Sequence, residues 1–135
     1  LVIFDGVCGL CDRSVQFFLD HDAEGSLRFT PLQGETAQRV YARHPDLRSV
    51  DSVVFVEREG DGDDATEKVY VRSKAVFAIA RHLSGGARAL RVFSVLPQKL
   101  ADLGYDMVAS VRYRVFGKLD ACRIPSPDVR ARFLP

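Results

Sequence analysis

Two cysteines near the start of the chain have the spacing of a redox-active pair. Cys8 and Cys11 are separated by two residues and follow an apolar run at residues 1–4, at the point where a helical pattern begins. Free N–H groups and the positive end of the dipole at a helix N-terminus favour a thiolate, and the thiolate is the species that attacks a disulfide. The spacing therefore predicts a dithiol redox site.

The two thiols are expected to have different roles. Cys8 lies at or just before the first helical turn, so we expect it to be the more exposed thiol and the nucleophile. Cys11, one turn later, is predicted to be the resolving thiol that attacks the mixed disulfide. Asp5 precedes both in an Asp-Gly pair, which is typical of a tight turn. Alternatively, its carboxylate could accept the proton of Cys11 during that attack.

The first 86 residues alternate between strand and helix patterns. The predicted strands lie at 1–4, 27–32, 53–56 and 68–72, and the predicted helices lie at 11–25, 35–43 and after Ser73, which is a natural N-cap. The short link between the last two strands suits an antiparallel hairpin. The order βαβ-α-ββα predicts an α/β fold with a mixed sheet, as in thioredoxin.

Beyond Gly86 the patterns are helical only. A helix is predicted at 87–96, and Pro97 opens a longer one. Its apolar stripe is expected to contact the sheet, or alternatively to form a lid beside the thiols. The stripe consists of Leu100, Leu103, Met107, Val108, Val111 and Val115. No linker separates the two parts, so we predict a single domain over 1–135, with a core at about 1–86 and a C-terminal helical extension at about 87–135.

The composition favours a globular domain that does not depend on disulfides. Of its 135 residues, 47% are hydrophobic and 27% charged, which suffices for a core. Three cysteines are too few for a secreted disulfide scaffold, and no apolar run approaches the roughly 18 to 20 residues that span a bilayer. We therefore expect a cytoplasmic protein with no transmembrane segment. No basic run interleaved with aromatic residues points to nucleic acid.

Charge is divided unevenly along the chain. Residues 1–67 carry 6 basic and 14 acidic side chains, and residues 68–135 carry 13 basic and 4 acidic ones, so the two parts have net charges of −8 and +9. We expect the two parts to attract each other within the fold. Alternatively, the basic part could present a surface to an acidic partner or an anionic membrane.

Five short motifs are spread over nearly the whole chain, from residue 5 to residue 125. They are Asp5-Gly6-Val7-Cys8-Gly9-Leu10-Cys11, Val69-Tyr70-Val71-Arg72-Ser73-Lys74-Ala75, Leu96-Pro97, Arg112-Tyr113-Arg114-Val115-Phe116-Gly117 and Cys122-Arg123-Ile124-Pro125. Together they resemble the DCC family, which is named for an Asp and two Cys. The resemblance implies a thioredoxin-like fold, thiol-disulfide oxidoreductase activity without a cofactor, and Asp5, Cys8 and Cys11 as the signature residues.

One position departs from the thioredoxin-like pattern. Such oxidoreductases usually carry a cis-proline just before the third strand, facing the dithiol, but here residues 51–53 are Asp, Ser and Val. Without that proline the cysteine pair is less shielded from a metal. An alternative function is therefore a thiolate-based metal-binding module. Its ligands would be Cys8 and Cys11 with either Cys122 or one of His21, His44 and His82.

The helix after the fourth strand offers a candidate substrate site. In a thioredoxin-like fold its N-terminus can approach the same sheet edge as the dithiol. Arg72 and Ser73, with the free N–H groups there, would suit a small carboxylate such as one of glutathione. Alternatively, Ser73 is an ordinary N-cap and Arg72 is exposed on an edge strand. The expected partners are thiol or disulfide substrates, including glutathione. Cys122 is otherwise expected to be a packing residue that the dithiol cycle does not need.

Overall fold

One mixed four-stranded sheet forms the centre of the protein. The computed structural model describes residues 1–50, 52–60, 65–118 and 126–135. The strands are β1 (Val2–Phe4), β2 (Phe29–Pro31), β3 (Val54–Glu59) and β4 (Thr66–Val71). Their spatial order is β2-β1-β3-β4, with β1 parallel to β2 and antiparallel to β3. β3 and β4 pair antiparallel, which confirms the predicted hairpin.

Helices pack on both faces of this sheet. The α-helices are α1 (Gly9–His21), α2 (Glu35–Arg43), α3 (Arg72–Ala80), α4 (Gln98–Phe116) and α5 (Pro127–Arg130). Because strand side chains alternate, Val2 and Phe4 join one core with α1 and α3, while Ile3 joins a second core with α2. This arrangement confirms the α/β class with a thioredoxin-like core. The single-domain division at residue 86 stays a prediction.

Two of the connecting elements differ from the predicted ones. Helices of 3₁₀ type run over Pro45–Ser49 and Gly85–Val95, and the second replaces the α-helix predicted at 87–96. The N-cap of α3 is Val71, so Ser73 already lies inside the helix and is not its cap. None of the helices in the described ranges is long and apolar enough to cross a membrane.

The end of the chain returns to the outer edge of the sheet. The Phe29 N–H donates to the carbonyl of Arg132 at 2.8 Å, and the Leu134 N–H donates to the carbonyl of Phe29 at 2.7 Å. The ring of Phe133 stacks on Phe29 at 5.5 Å between centroids. Arg132 also forms an ion pair with the buried carboxylate of Asp22. These contacts cover the free edge of β2, which would otherwise offer unpaired backbone groups.

Helix α4 lies against α1 and α3 with an unexpected orientation. Its apolar stripe was predicted to contact the sheet, and this is wrong, because the stripe residues are 40–65% exposed. We call this exposed row the outer face of α4: it consists of Leu100, Leu103, Met107, Val111 and Val115. The inner face, which packs on the domain, consists of Tyr105, Ala109, Arg112 and Phe116. The alternative prediction is that the stripe itself forms a lid beside the thiols. Of the stripe residues, Val108 lines a cavity together with Cys11, while the outer face is turned to solvent.

Candidate active site

The two cysteines meet at the first turn of α1. Cys8 is the N-cap, in an extended conformation with φ −90° and ψ 119°, and its Sγ accepts a hydrogen bond from the N–H of Cys11 at 3.4 Å. Both are free thiols in this structure. The sulfur of Cys8 thus takes the place of the side-chain oxygen that commonly caps a helix N-terminus. The predicted placement of the pair at a helix N-terminus is confirmed.

The exposure of the two thiols is the reverse of the prediction. Cys8 is 0% exposed, whereas Cys11 is only partly buried. Cys8 is covered because the end of α4 lies across it: Cys8 forms an antiparallel bridge with Lys118, and the Gly9 N–H donates to the carbonyl of Gly117 at 3.2 Å. In this conformation Cys8 is therefore closed off from solvent.

The environment of Cys11 keeps its proton in place. Burial, followed by a hydrogen bond to the sulfur of Cys8 and the proximity of that sulfur, raises the pKa of the Cys11 thiol from 9.0 to about 12. The guanidinium of Arg112 acts in the opposite direction and is outweighed. At neutral pH Cys11 is thus a thiol that donates toward Cys8, so the pair is chemically unequal.

Asp5 is held from three sides. Its Oδ1 accepts the Val7 N–H at 3.1 Å and its carbonyl accepts the Cys8 N–H at 3.3 Å, so the side chain and backbone both shape the turn before α1. Its Oδ2 accepts the phenol of Tyr113 and lies 3.8 Å from Nη2 of Arg112. The hydrogen bond to Asp5 raises the pKa of Tyr113. The turn role of Asp5 is therefore observed, and its proton-accepting role stays a prediction.

Arg112 is the functional candidate that the sequence analysis left without a role. Its side chain is buried, with Nη2 3.2 Å from the phenol of Tyr113 and the guanidinium carbon 4.8 Å from the centre of that ring. It brings a positive charge close to Asp5 and Cys11. A signal for it exists in the sequence, since Tyr105, Ala109, Arg112 and Phe116 recur at helical spacing opposite the apolar stripe.

Tyr105 contacts the backbone just before β3, where the thioredoxin-like pattern would have a proline. Its phenol accepts the N–H of Val53, the residue before β3, at 3.0 Å, and burial raises its pKa. No cis peptide bond occurs in the described parts of the chain. The backbone N–H at this position is therefore bound within the protein and is not free to pair with a substrate peptide.

A small apolar cavity adjoins Cys11. Its volume is about 100 Å³, and it lies between β1, α1, α3 and α4. Its lining includes Cys11, Val53, Val76, Tyr105 and Val108. This largely apolar lining lies against Cys11, in agreement with the burial that raises the pKa of that thiol.

The predicted substrate residues at the start of α3 contact α4 instead of solvent. The buried Ser73 donates its hydroxyl to Oδ1 of Asp102 at 2.6 Å, and Gln98 donates to both residues. The hydrogen bonds from Ser73 and Gln98 lower the pKa of Asp102. Arg72 has a positive φ of 54° and lies 3.9 Å from Asp106. A carboxylate of the chain itself thus takes the place expected for a ligand carboxylate.

The histidines named as alternative metal ligands have other partners. His44 lies 3.2 Å from Glu67, His82 lies 3.3 Å from Glu57, and the ring of His21 bonds the carbonyl of Phe17 at 2.8 Å. Across residues 1–50, 52–60, 65–118 and 126–135, no group of three or more His, Cys, Asp or Glu side chains could hold a metal ion. Cys122, the other candidate ligand, lies outside the described residues.

The chain is similar to known proteins over nearly its whole length. Over residues 2–118 the chain matches the family described as DCC1-like thiol-disulfide oxidoreductase. YuxK, an uncharacterized protein of Bacillus subtilis (strain 168), is 40% identical over 137 residues, which cover 100% of this chain and 93% of YuxK. A chloroplastic DCC family protein of Arabidopsis thaliana is 34% identical over 128 residues, which cover 92% of this chain and 69% of that protein. No solved structure matches. The chain therefore belongs to the DCC1-like thiol-disulfide oxidoreductase family, as its motifs predicted.

Proposed function

We propose that the protein exchanges thiols and disulfides through Cys8 as nucleophile and Cys11 as resolving thiol. This proposal rests on the chemical difference between the two thiols. The Cys8 sulfur accepts a hydrogen bond from the Cys11 N–H, and the pKa of Cys11 is raised to about 12. Attack needs a thiolate, and a thiol that stays protonated at neutral pH is suited to act second. A cytoplasmic setting, with thiol or disulfide substrates, belongs to the same proposal.

The reaction consists of two exchanges. The Cys8 thiolate attacks a substrate disulfide, forms a mixed disulfide and releases one substrate thiolate. Cys11 then gives up its proton, attacks the Cys8 sulfur and releases the second substrate thiol, which leaves a Cys8–Cys11 disulfide. The substrate is reduced by two electrons and the protein is oxidised by two. Two molecules of a free thiol such as glutathione then return the protein to the dithiol: the first forms a mixed disulfide with the protein, and the second releases it as the oxidised disulfide.

Asp5 and the end of α4 take part in the proposed cycle without contacting the substrate. The Asp5 carboxylate is near enough to Cys11 to influence its pKa, which supports a role in accepting its proton during the second step. Because Cys8 is covered, the first step requires the Gly117–Lys118 segment to move away from it. Gly117 follows α4 and has a φ of 78°, a conformation that glycine adopts readily.

Trapping with oxidised glutathione tests the assignment of the two thiols. At neutral pH we expect Cys11→Ser to accumulate a mixed disulfide on Cys8, detected by mass spectrometry of the intact protein and its peptides. Cys8→Ser should form little mixed disulfide at neutral pH, because Cys11 holds its proton. The amount should increase as the pH is raised. The wild type should yield a Cys8–Cys11 disulfide. If only Cys8→Ser is trapped, the roles are reversed; if neither variant is trapped, the proposal is wrong.

Binding of a glutathione carboxylate by Arg72 and Ser73 remains a proposal, and the structure shows a competitor for that site. Glutathione can use it only by displacing Asp102 from the Ser73 hydroxyl. On this proposal, Ser73→Ala and Arg72→Ala weaken turnover at sub-saturating glutathione, and Asp102→Asn, which removes the competing charge, strengthens it. Equal turnover in all three variants would remove the site from the mechanism and leave the dithiol exchange intact.

A further inference from the structure

The outer face of α4 is a continuous apolar row exposed to solvent. Its members recur every three or four residues from Leu100 to Val115, and each is 40–65% exposed. This spacing aligns them on one side of the helix over about four turns. Single apolar side chains are common on protein surfaces, but a row of this length indicates a surface that binds something.

The charges around this row are mainly positive. Apart from the buried Arg112, which lies on the inner face, residues 85–118 contain five Lys and Arg against two Asp, a net charge of +3. Both carboxylates, Asp102 and Asp106, lie against residues of α3. Lys99 and Arg114 lie on α4 itself and are exposed, and within the described residues neither forms an ion pair. The uncompensated charge beside the apolar row is therefore cationic.

We propose that the outer face of α4 binds the surface of an anionic lipid bilayer. An amphipathic helix that combines an apolar row with Lys and Arg lies in the plane of the bilayer interface, with its apolar side chains below the headgroups. Lys99 and Arg114 then contact lipid phosphates. Since the inner face of the same helix covers the dithiol, binding holds Cys8 and Cys11 within about one helix diameter, about 10–12 Å, of the bilayer.

A second copy of the chain suits this face less well, because the charges would repel. In antiparallel packing about Met107, Lys99 of one copy would lie beside Arg114 of the other, since the two residues lie about 12 Å and about 10.5 Å along the helix from Met107. In parallel packing each cation would face its own counterpart. In both arrangements like charges lie side by side, which destabilises a helix pair. An anionic bilayer supplies the opposite charge.

A single tryptophan reports on this surface directly, because the chain contains none. We expect the emission of Met107→Trp to shift to shorter wavelength with vesicles of phosphatidylcholine and phosphatidylglycerol, to stay unchanged with phosphatidylcholine alone, and to return at high salt. Thr66→Trp is the control, because Thr66 is exposed at the opposite end of β4 from α3. Its emission should not shift. Circular dichroism verifies the fold of both variants.

Two double variants, each of which removes two positive charges, test whether Lys99 and Arg114 contribute to the proposed lipid binding. The double variant Lys99→Gln/Arg114→Gln should bind the mixed vesicles about thirtyfold more weakly in flotation assays, because each cation near an anionic surface accounts for about a fivefold change in affinity. The control, Arg39→Gln/Arg48→Gln, removes two exposed cations elsewhere and should bind like the wild type. Thiol exchange with oxidised glutathione should be unchanged in both.

Two outcomes would overturn the proposal. If Met107→Trp already emits at short wavelength without vesicles, and sedimentation velocity finds a dimer, a second copy of the chain occupies the face. If the protein is monomeric and does not float with the mixed vesicles, or floats equally after Lys99→Gln/Arg114→Gln, the face does not bind anionic lipid.

Discussion

In α4 the side with polar residues packs on the protein and the aliphatic side faces solvent, which is the reverse of an ordinary amphipathic helix. The inner face brings the guanidinium of Arg112 and the phenol of Tyr105 against the dithiol site, while the outer face turns aliphatic side chains to solvent. A helix that only covered the core would bury its apolar side. Polar contacts with the residues around Cys8 and Cys11 therefore orient α4, and its apolar side is left for another purpose.

The largest expected effect distinguishes two arginines on these opposite faces. Arg112→Met removes the positive partner of the buried Asp5, and we expect a loss of about 3–5 kcal/mol in the free energy of unfolding. Arg114→Met makes the same substitution two residues later at an exposed position and should change it by less than about 0.5 kcal/mol. Urea denaturation measures both. Similar losses in the two variants would show that the faces are not energetically different.

A second pair of variants compares two phenols. Tyr105→Phe leaves the Val53 N–H without its partner, and we expect a loss of about 1–3 kcal/mol. The control is Tyr41→Phe, because the hydroxyl of Tyr41 is buried and has no hydrogen-bond partner within the described residues. Its removal should leave stability unchanged or raise it. A loss in Tyr41→Phe equal to that in Tyr105→Phe would contradict the assigned contact.

The stability that α4 gains from its contact with α3 should decrease at acidic pH. The hydrogen bonds that lower the pKa of Asp102 mean that the folded protein binds this proton less tightly than the unfolded chain does. The resulting stabilisation is complete above the ordinary pKa of 3.8 and is lost as the pH falls through the lowered value. We therefore expect Asp102→Asn to be less stable than wild type at neutral pH, with a difference that shrinks below about pH 4. Asp106→Asn controls for loss of one carboxylate from this helix. A difference independent of pH would refute the linkage.

The smallest effect belongs to the outer face. Leu103→Ser and Met107→Ser should each change the free energy of unfolding by less than about 0.5 kcal/mol, because both side chains are more than half exposed. Leu83→Ala, at a position 1% exposed, should cost about 2–5 kcal/mol. Thermal and urea denaturation check the contrast. If the serine variants approach the cost of Leu83→Ala, the outer face is covered in the isolated protein.

Local patterns predicted most of the core and the placement of the dithiol. An unbroken apolar run predicts β1, which is buried on both faces, and helical periodicity predicts α1 and α2, each of which buries one side against the sheet. The position of the C-x-x-C motif follows from where α1 begins. The same patterns could not predict the exposure of Cys8 or the orientation of α4. Periodicity shows that a helix has two sides, but contacts distant in sequence, such as those of Asp5 with Arg112 and Tyr113, decide which side is buried.

Gly9, the first residue between the two cysteines, limits how this site can vary. A Cβ at this position would overlap the carbonyl oxygen of Phe116, a backbone atom that a side-chain rotation cannot move aside. Reduction potentials differ widely among C-x-x-C proteins, and the two intervening residues adjoin both sulfur atoms. In this protein only Leu10 is open to such substitution, so engineering of its redox potential through the motif has one usable position, unless the end of α4 is redesigned together with it.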